Sequence, residues 1–319
     1  MEESMEENSM NRLYVIKKRN QYIIIVGVIL ILIVSGLCLF RDWNRRVKEP
    51  VMLPVCMEIG LDWIDQEVEE DNAQIQLFYL TDNRQENTVR RISFPERPDL
   101  HCSVNEEFEY FTDNTFIGND STNTWRDYGR YQIHQITVYF DQVPLEDEIT
   151  LTQAELLWSN NEHTVVDIGK VVLYKNDYSQ TSLKSYNSSS STDGTSVGGM
   201  EVLDDITIES IESPLLSYVA GEFTIKINGN TYQVSELNNL YLDFKKGDYI
   251  DITINTQGSM KQKYNKYYII DIQPRLIFKD KNGKQGYVRL YNIRESLEYK
   301  LTTENQIHQY LKEIEGENE

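Results

Sequence analysis

The chain has 319 residues, with 51 acidic against 31 basic side chains and a formal net charge of −20. Eight of the basic and five of the acidic residues precede Glu49, so the remainder carries 23 positive against 46 negative side chains. That balance excludes the basic footprint of a nucleic-acid-binding protein, and it keeps a folded region soluble beside anionic lipid or anionic polymers.

Residues 1–20 read as a short cytoplasmic tail. Glu2, Glu3, Glu6 and Glu7 make it polar, and it is too short to form a signalling domain. Residues 21–40 then contain no charge, and Tyr22 to Phe40 is apolar apart from Gly27, Ser35 and Gly36. As a helix, this stretch spans about 28 Å, matching a bilayer core of roughly 30 Å. It is therefore expected to be a transmembrane helix. Ser35-Gly36-Leu37-Cys38 has the outline of a lipoprotein processing site, but Leu37 stands where a small residue is needed, so the anchor is expected to stay uncleaved.

Arg12, Lys17, Lys18 and Arg19 on one flank balance Arg41, Arg45, Arg46 and Lys48 on the other. The Lys17-Lys18-Arg19 run before the apolar stretch breaks the tie. The expectation is a single-pass protein of the cell membrane, with a cytoplasmic N-terminus and an extracytoplasmic bulk. Residues 41–50 form a juxtamembrane stalk, in which Trp43 suits the membrane interface.

From residue 51 onward the composition favours sheet. Alanine occurs only as Ala73, Ala154 and Ala220, while Ile, Val, Tyr and Thr fill the ordered stretches. Cys56 and Cys102 would close a loop of about 47 residues, and a bridge there is worth about 4 kcal/mol on the loop-entropy model. They are the candidate disulfide, with two free thiols as the alternative.

The stretch Asp113–Asp127 crowds oxygen ligands into a turn-rich segment. Asp113, Asn114, Asn119, Asp120, Asn123 and Asp127 form a weak calcium candidate, because calcium takes six to eight oxygens. A solvated loop is the alternative, since the spacing is not that of an EF-hand. No other cofactor is expected.

Tyr131–Phe140, Ile149–Leu156 and Thr164–Leu173 alternate with period two and are predicted to form an antiparallel meander. Ser179–Gly199 has a run of four serines and few bulky apolar residues, so it is expected to be a flexible linker or loop. It divides a β-rich domain at 51–178 from a second at 200–319, and one larger sandwich with an insertion is the alternative. In the second part, Phe223–Ile227, Thr231–Val234, Asp248–Ile254, Tyr267–Ile272, Arg275–Phe278 and Gln285–Tyr291 read as strands, with Asp280–Gly283 as a hairpin turn. Thr303 to Gln306 resembles a capping box, and Ile307, Tyr310, Leu311 and Ile314 follow at helical spacing. This terminal helix is expected to pack on the second domain. The fold class is thus mainly β: one N-terminal transmembrane helix, two antiparallel β-sandwich-like domains and a short C-terminal helix.

Catalytic motifs lack the context they require. Gly194-Thr195-Ser196-Val197-Gly198 matches the nucleophile elbow, but no strand enters it and no helix leaves. His101, His134, His163 and His308 stand singly, without metal-ligand spacing. His101 and Cys102 are adjacent and so point to opposite faces of a strand. Tyr264, Tyr267 and Tyr268 cluster near lysines, and amphipathic tyrosines serve recognition surfaces as well as sheets. The reading is a non-enzymatic extracytoplasmic module of a bacterial cell envelope that binds a protein or an envelope glycan. The alternatives are an accessory subunit of a membrane complex, or a hydrolase whose carboxylates lie among the 46 acids.

Overall fold

Period-two alternation becomes pleated strand where one face of each segment can be buried. The computed structural model describes residues 25–40, 43, 45–61, 63–64, 67–68, 74–85, 87–106, 126–142, 148–175, 182–190, 195–219, 224–255, 269–290, 293–295, 301 and 303–317. The chain divides into two compact units, Met1–Lys48 and Glu49–Glu319. In the first, residues 25–40 are helical and their apolar side chains are exposed, from Ile25 to Phe40. Among the described residues no helix is long and apolar enough to cross a membrane.

The second unit is mainly β, and its described residues form four larger sheets and a small hairpin. Sheet I runs Val51–Leu53, Gln74–Asp82, Tyr131–Gln142 and His101–Asn105, with Arg126–Tyr128 also paired to Tyr131–Gln142. Sheet II runs Ile293–Glu295, Ile269–Ile272, Val55–Leu61, His163–Lys175, Glu148–Trp158 and Val89–Ser93. Sheet III runs Leu183–Ser190, Thr195–Val202, Tyr249–Asn255, Thr224–Ile227 and Asn230–Tyr232. Sheet IV runs Leu242–Phe244, Ile206–Glu212, Arg275–Asp280 and Gln285–Arg289.

Several pairings differ from the sequence reading. Tyr131–Gln142 does not join the meander with the two strands after it. It lies in sheet I between Gln74–Asp82 and His101–Asn105, while Glu148–Trp158 and His163–Lys175 pair in sheet II. Sheet II is also not wholly antiparallel. Val55–Leu61 pairs in parallel with both His163–Lys175 and Ile269–Ile272. At Gly169 (φ 89°) an added Cβ would fall 2.2 Å from the Val55 carbonyl oxygen, so this close backbone approach requires glycine.

The expected linker is largely sheet. Leu183–Ser190 and Thr195–Val202 are antiparallel partners. Backbone groups make the ladder, so serines do not prevent it, and burial of Leu183, Met200 and Val202 holds the hairpin against the core. Strand pairing also crosses the expected boundary, since Ile269–Ile272 lies beside Val55–Leu61.

One hydrophobic cluster joins sheets III and IV to sheet II. Ile225, Ile250 and Ile252 meet Ile208, Leu276 and Phe278, together with Cys56, Val172, Ile270 and Ile272. The turn after Arg275–Asp280 forms as its residues dictate. Asp280 Oδ1 accepts the Asn282 and Lys284 N–H groups, each at 2.8 Å, and Gly283 takes a positive φ.

The terminal helix Glu304–Glu317 begins as predicted, with Thr303 Oγ1 accepting the Gln306 N–H at 3.3 Å. It touches the first half of the unit. An added Cβ at Gly129 would meet Glu304 Oε2 at 3.0 Å, and the Tyr131 hydroxyl lies 3.4 Å from His308 Nδ1. Tyr131 and Ile133 are buried on the face of their strand opposite Ile136 and Val138, and a strand apolar on both faces needs a second cover.

A polar contact is buried where sheets II and IV meet. Glu58 follows Cys56 by two residues, so it points to the same face of its strand, and it is 1% exposed. Its carboxylate accepts the Ser213 hydroxyl at 2.8 Å and the Gln273 N–H at 2.7 Å. Arg289 Nη1 lies 3.8 Å from it and donates to the Gln273 carbonyl at 2.8 Å. The guanidinium lies 3.3 Å from the centroid of the Tyr174 ring, and the Tyr174 hydroxyl donates to the Gln273 side chain. Burial pushes the Glu58 carboxyl above its ordinary value, while the Ser213 hydroxyl and the Arg289 charge pull it back.

Removing one partner of a buried ion pair strands the other. Glu58→Ala is expected to destabilise the fold by about 3–5 kcal/mol in urea unfolding, and Glu58→Leu with Arg289→Met to lose clearly less. Equal losses would mean that burial of the pair is not what the single substitution disturbs.

Candidate functional site

Among the described residues, a cluster of chemically capable side chains lies inside sheet I. Tyr79 and His134 are directly opposed across Gln74–Asp82 and Tyr131–Gln142. Their rings stack with centroids 4.3 Å apart and planes at 17°, and Trp158 meets Tyr79 edge-on at 5.3 Å. Thr81 Oγ1 is 2.7 Å from His134 Nε2, and His134 Nδ1 is 3.3 Å from Glu106 Oε1. Glu106 follows His101–Asn105 and also accepts the Tyr79 hydroxyl and the Val89 N–H.

These bonds select one tautomer. Glu106 is a carboxylate acceptor, so the proton sits on Nδ1 and Nε2 accepts from Thr81. Burial lowers the imidazole's affinity for a second proton, and the hydrogen bond and charge of Glu106 oppose that shift. Burial, reinforced by the Glu106 charge, holds the Tyr79 phenol far above its usual range, so it stays a donor.

Hydroxyl, imidazole and carboxylate in this order match the nucleophile, base and orienting acid of acyl-transfer enzymes. Access separates the two cases. Thr81 is 0% and His134 3% exposed, so no substrate carbonyl reaches Oγ1 as the fold stands. The arrangement satisfies buried polar groups and couples core packing to one proton. Its sequence signal is a phase break. Apolar residues fall on odd numbers at Tyr131 and Ile133 and on even numbers at Ile136, Val138 and Phe140, which places His134 on the even, core-facing side.

Asp113, Asn114, Asn119, Asp120 and Asn123 of the calcium candidate lie outside the described residues, as do Tyr264, Tyr267 and Tyr268. Asp127 belongs to the strand Arg126–Tyr128, paired with Gln132. Among the described residues no group of three or more His, Cys, Asp or Glu side chains is placed to hold a metal ion. Thr195 to Gly198 lie within a strand, without the strand-to-helix turn of a nucleophile elbow.

The candidate disulfide is not formed: Cys56 and Cys102 are both free thiols. Cys56 belongs to the cluster shared by sheets II, III and IV, and Cys102 lies in sheet I, where its Sγ donates to the Ile92 carbonyl at 3.3 Å. Burial, aided by the nearby Glu58 charge and opposed by Lys170, pushes the Cys56 thiol up to about 12. It is therefore an inert core residue.

No protein-family model matches the chain, and no curated protein matches it. Solved structures match over most of the chain at low identity. The D00-D0 domain of intimin is 8% identical, over 77% of this chain and 98% of that one, with a TM-score of 0.20. The periplasmic chaperone SfaE is 10% identical, over 76% and 98%, with a TM-score of 0.21. The collagen adhesin CNA from S. aureus is 9% identical, over 78% and 92%, with a TM-score of 0.19. Scores this low decide neither topology nor function.

Two measurements check the buried chemistry. His134 binds its extra proton more weakly in the folded than in the unfolded state, so its contribution is present above about pH 6.5 and is lost as pH falls through the lower folded value. Melting temperature should therefore drop between about pH 7 and 5, and His134→Gln should flatten that drop. For the cysteines, thiol labelling of the denatured chain should report the same number of reactive groups with and without prior reduction.

Proposed function

We propose that the protein is a single-pass, membrane-anchored β-sandwich module of the cell envelope that binds a protein or glycan outside the cell. The carrying observation is the segment Tyr22 to Phe40. It has the length of a bilayer span and no charge, and its described part, 25–40, is a helix whose apolar side chains are exposed. An amphipathic helix of a globular unit buries one stripe, whereas Val28, Ile31, Leu32 and Phe40 here are each at least half exposed. Lipid is the solvent that suits such a surface.

Lys17, Lys18 and Arg19 favour a cytoplasmic N-terminus, which leaves residues 49–319 outside. The acidic excess of that unit suits a polyanionic envelope, where it limits nonspecific adhesion. A binding role rather than a catalytic one rests on the sealing of the Thr81–His134–Glu106 array.

The full chain should stay in the membrane fraction after alkaline carbonate, and deletion of residues 22–40 should release it. Protease added to intact cells should degrade the 49–319 region. Protection until lysis would place that region in the cytoplasm and overturn the orientation.

A further inference from the structure

Past Trp43, the exposed large hydrophobic side chains among the described residues are Val165, Tyr186, Tyr218, Tyr241 and Tyr249. Four of the five are tyrosines, and two of these meet on one face of sheet III. Tyr186 and Tyr249 stand edge to face, with centroids 5.4 Å apart and planes at 87°. They come from strands that are not neighbours. Tyr186 sits at the pairing irregularity between Ser185 and Asn187, and Tyr249 opens the strand Tyr249–Asn255 on the far side of Thr195–Val202.

Gly199 in the intervening strand makes the contact possible. An added Cβ there would lie 2.3 Å from both Tyr186 Cζ and Asn187 Oδ1, so the ring and the neighbouring amide lie across the bare backbone. The Tyr186 hydroxyl donates to Asp251 Oδ1 at 2.8 Å. The Asp251 N–H donates to Asn228 Oδ1 at 2.7 Å, and the Asn228 amide donates to the Tyr249 carbonyl at 3.2 Å. The two rings are held from below and behind, yet remain 46% and 57% exposed. An aromatic that only covers a glycine would not need a second exposed ring at right angles beside it.

We infer that this face of sheet III is a binding site for a neutral oligosaccharide, an inference that rests on the interaction-module reading and names its ligand class. A pyranose presents axial C–H groups on one face and hydroxyls around its rim. The C–H face stacks on a tyrosine ring, the second ring closes one side, and Asp251 and the side chains beside it meet the hydroxyls.

Charge narrows the class. Lys184 stands opposite Glu201, and Lys226 and Asp251 lie on the same outward face, so these four charges cancel. The −20 charge of the chain repels anionic saccharides. The exposed rings share their face with carboxylate, amide and ammonium groups and with no exposed Leu, Ile, Phe or Met among the described residues, which is the mixture of aromatic platform and hydrogen-bonding rim that suits a hydroxyl-rich ligand.

The test uses the full chain in a zwitterionic detergent without a sugar head group. Calorimetric titrations with cellotriose, chitotriose and maltotriose, and with an anionic hyaluronan tetrasaccharide, extend to about 5 mM, the range of weak single-site recognition. At least one neutral trisaccharide should bind saturably. Tyr249→Ala and Gly199→Ala should each weaken it about tenfold or more, the latter by displacing the Tyr186 ring together with the Asn187 amide while leaving both rings present. Tyr241→Ala, an exposed tyrosine elsewhere, should leave it unchanged, and the circular dichroism of all variants should match the parent.

No binding of any neutral trisaccharide overturns the site, as does binding that survives both substitutions or that prefers the anionic tetrasaccharide. Capture of a peptide library that is abolished by the same two substitutions, without sugar binding, would assign the face to a protein and also overturns it. Sugar binding by a chain whose 49–319 region proves cytoplasmic removes only the proposed topology; the expected topology without sugar binding removes only this site.

Discussion

The buried contact between Glu58 and Arg289 is the constraint around which the 49–319 unit is arranged. The carboxylate belongs to a strand near the start of the unit, and the guanidinium to a strand near its end. Between them, Ser213 and Gln273 supply the hydrogen bonds that an isolated buried ion would lack. Such a pair contributes little net stability compared with apolar side chains of similar size. Its value lies in register. A one-residue slip of Val55–Leu61 would send Glu58 to the opposite face and leave Arg289 without its counter-ion. The parallel pairings of that strand with His163–Lys175 and Ile269–Ile272 join segments far apart in sequence, and a specific polar contact selects that arrangement over other pairings of similar strands.

Sheet I shows a second use of buried polarity. His134 bonds to Thr81 and Glu106 and stacks on Tyr79, so each of these buried groups has a partner in a place water does not reach. The same side chains on an open surface would read as a hydrolytic centre. Burial turns them into a structural network, and the chemistry presented to solvent lies on the exposed faces. There the available chemistry is tyrosine with carboxylate, amide and ammonium neighbours. That is a wet, amphipathic surface rather than a dry apolar one.

Residue pattern alone determined a good deal about this protein. It set the mainly β class, the strands whose alternation is clean, the Asp280–Gly283 turn and the cap at Thr303, because each depends on side-chain chemistry within a few residues of chain. It also marked out the uncharged run Tyr22 to Phe40, since absence of charge over bilayer length is a property of composition. Only the tertiary structure decided which strands pair, that a serine-rich stretch carries a hairpin, that Cys56 and Cys102 belong to different packing environments, and that the terminal helix covers Tyr131. Strand pairing is made by backbone groups common to every residue, so long-range partners leave little trace in local pattern. The partners of His134 and Glu58, and the Tyr186–Tyr249 pair, were illegible for the same reason. Each is defined by residues that come together from distant strands, and nothing within a short window says which side chain waits on the other side.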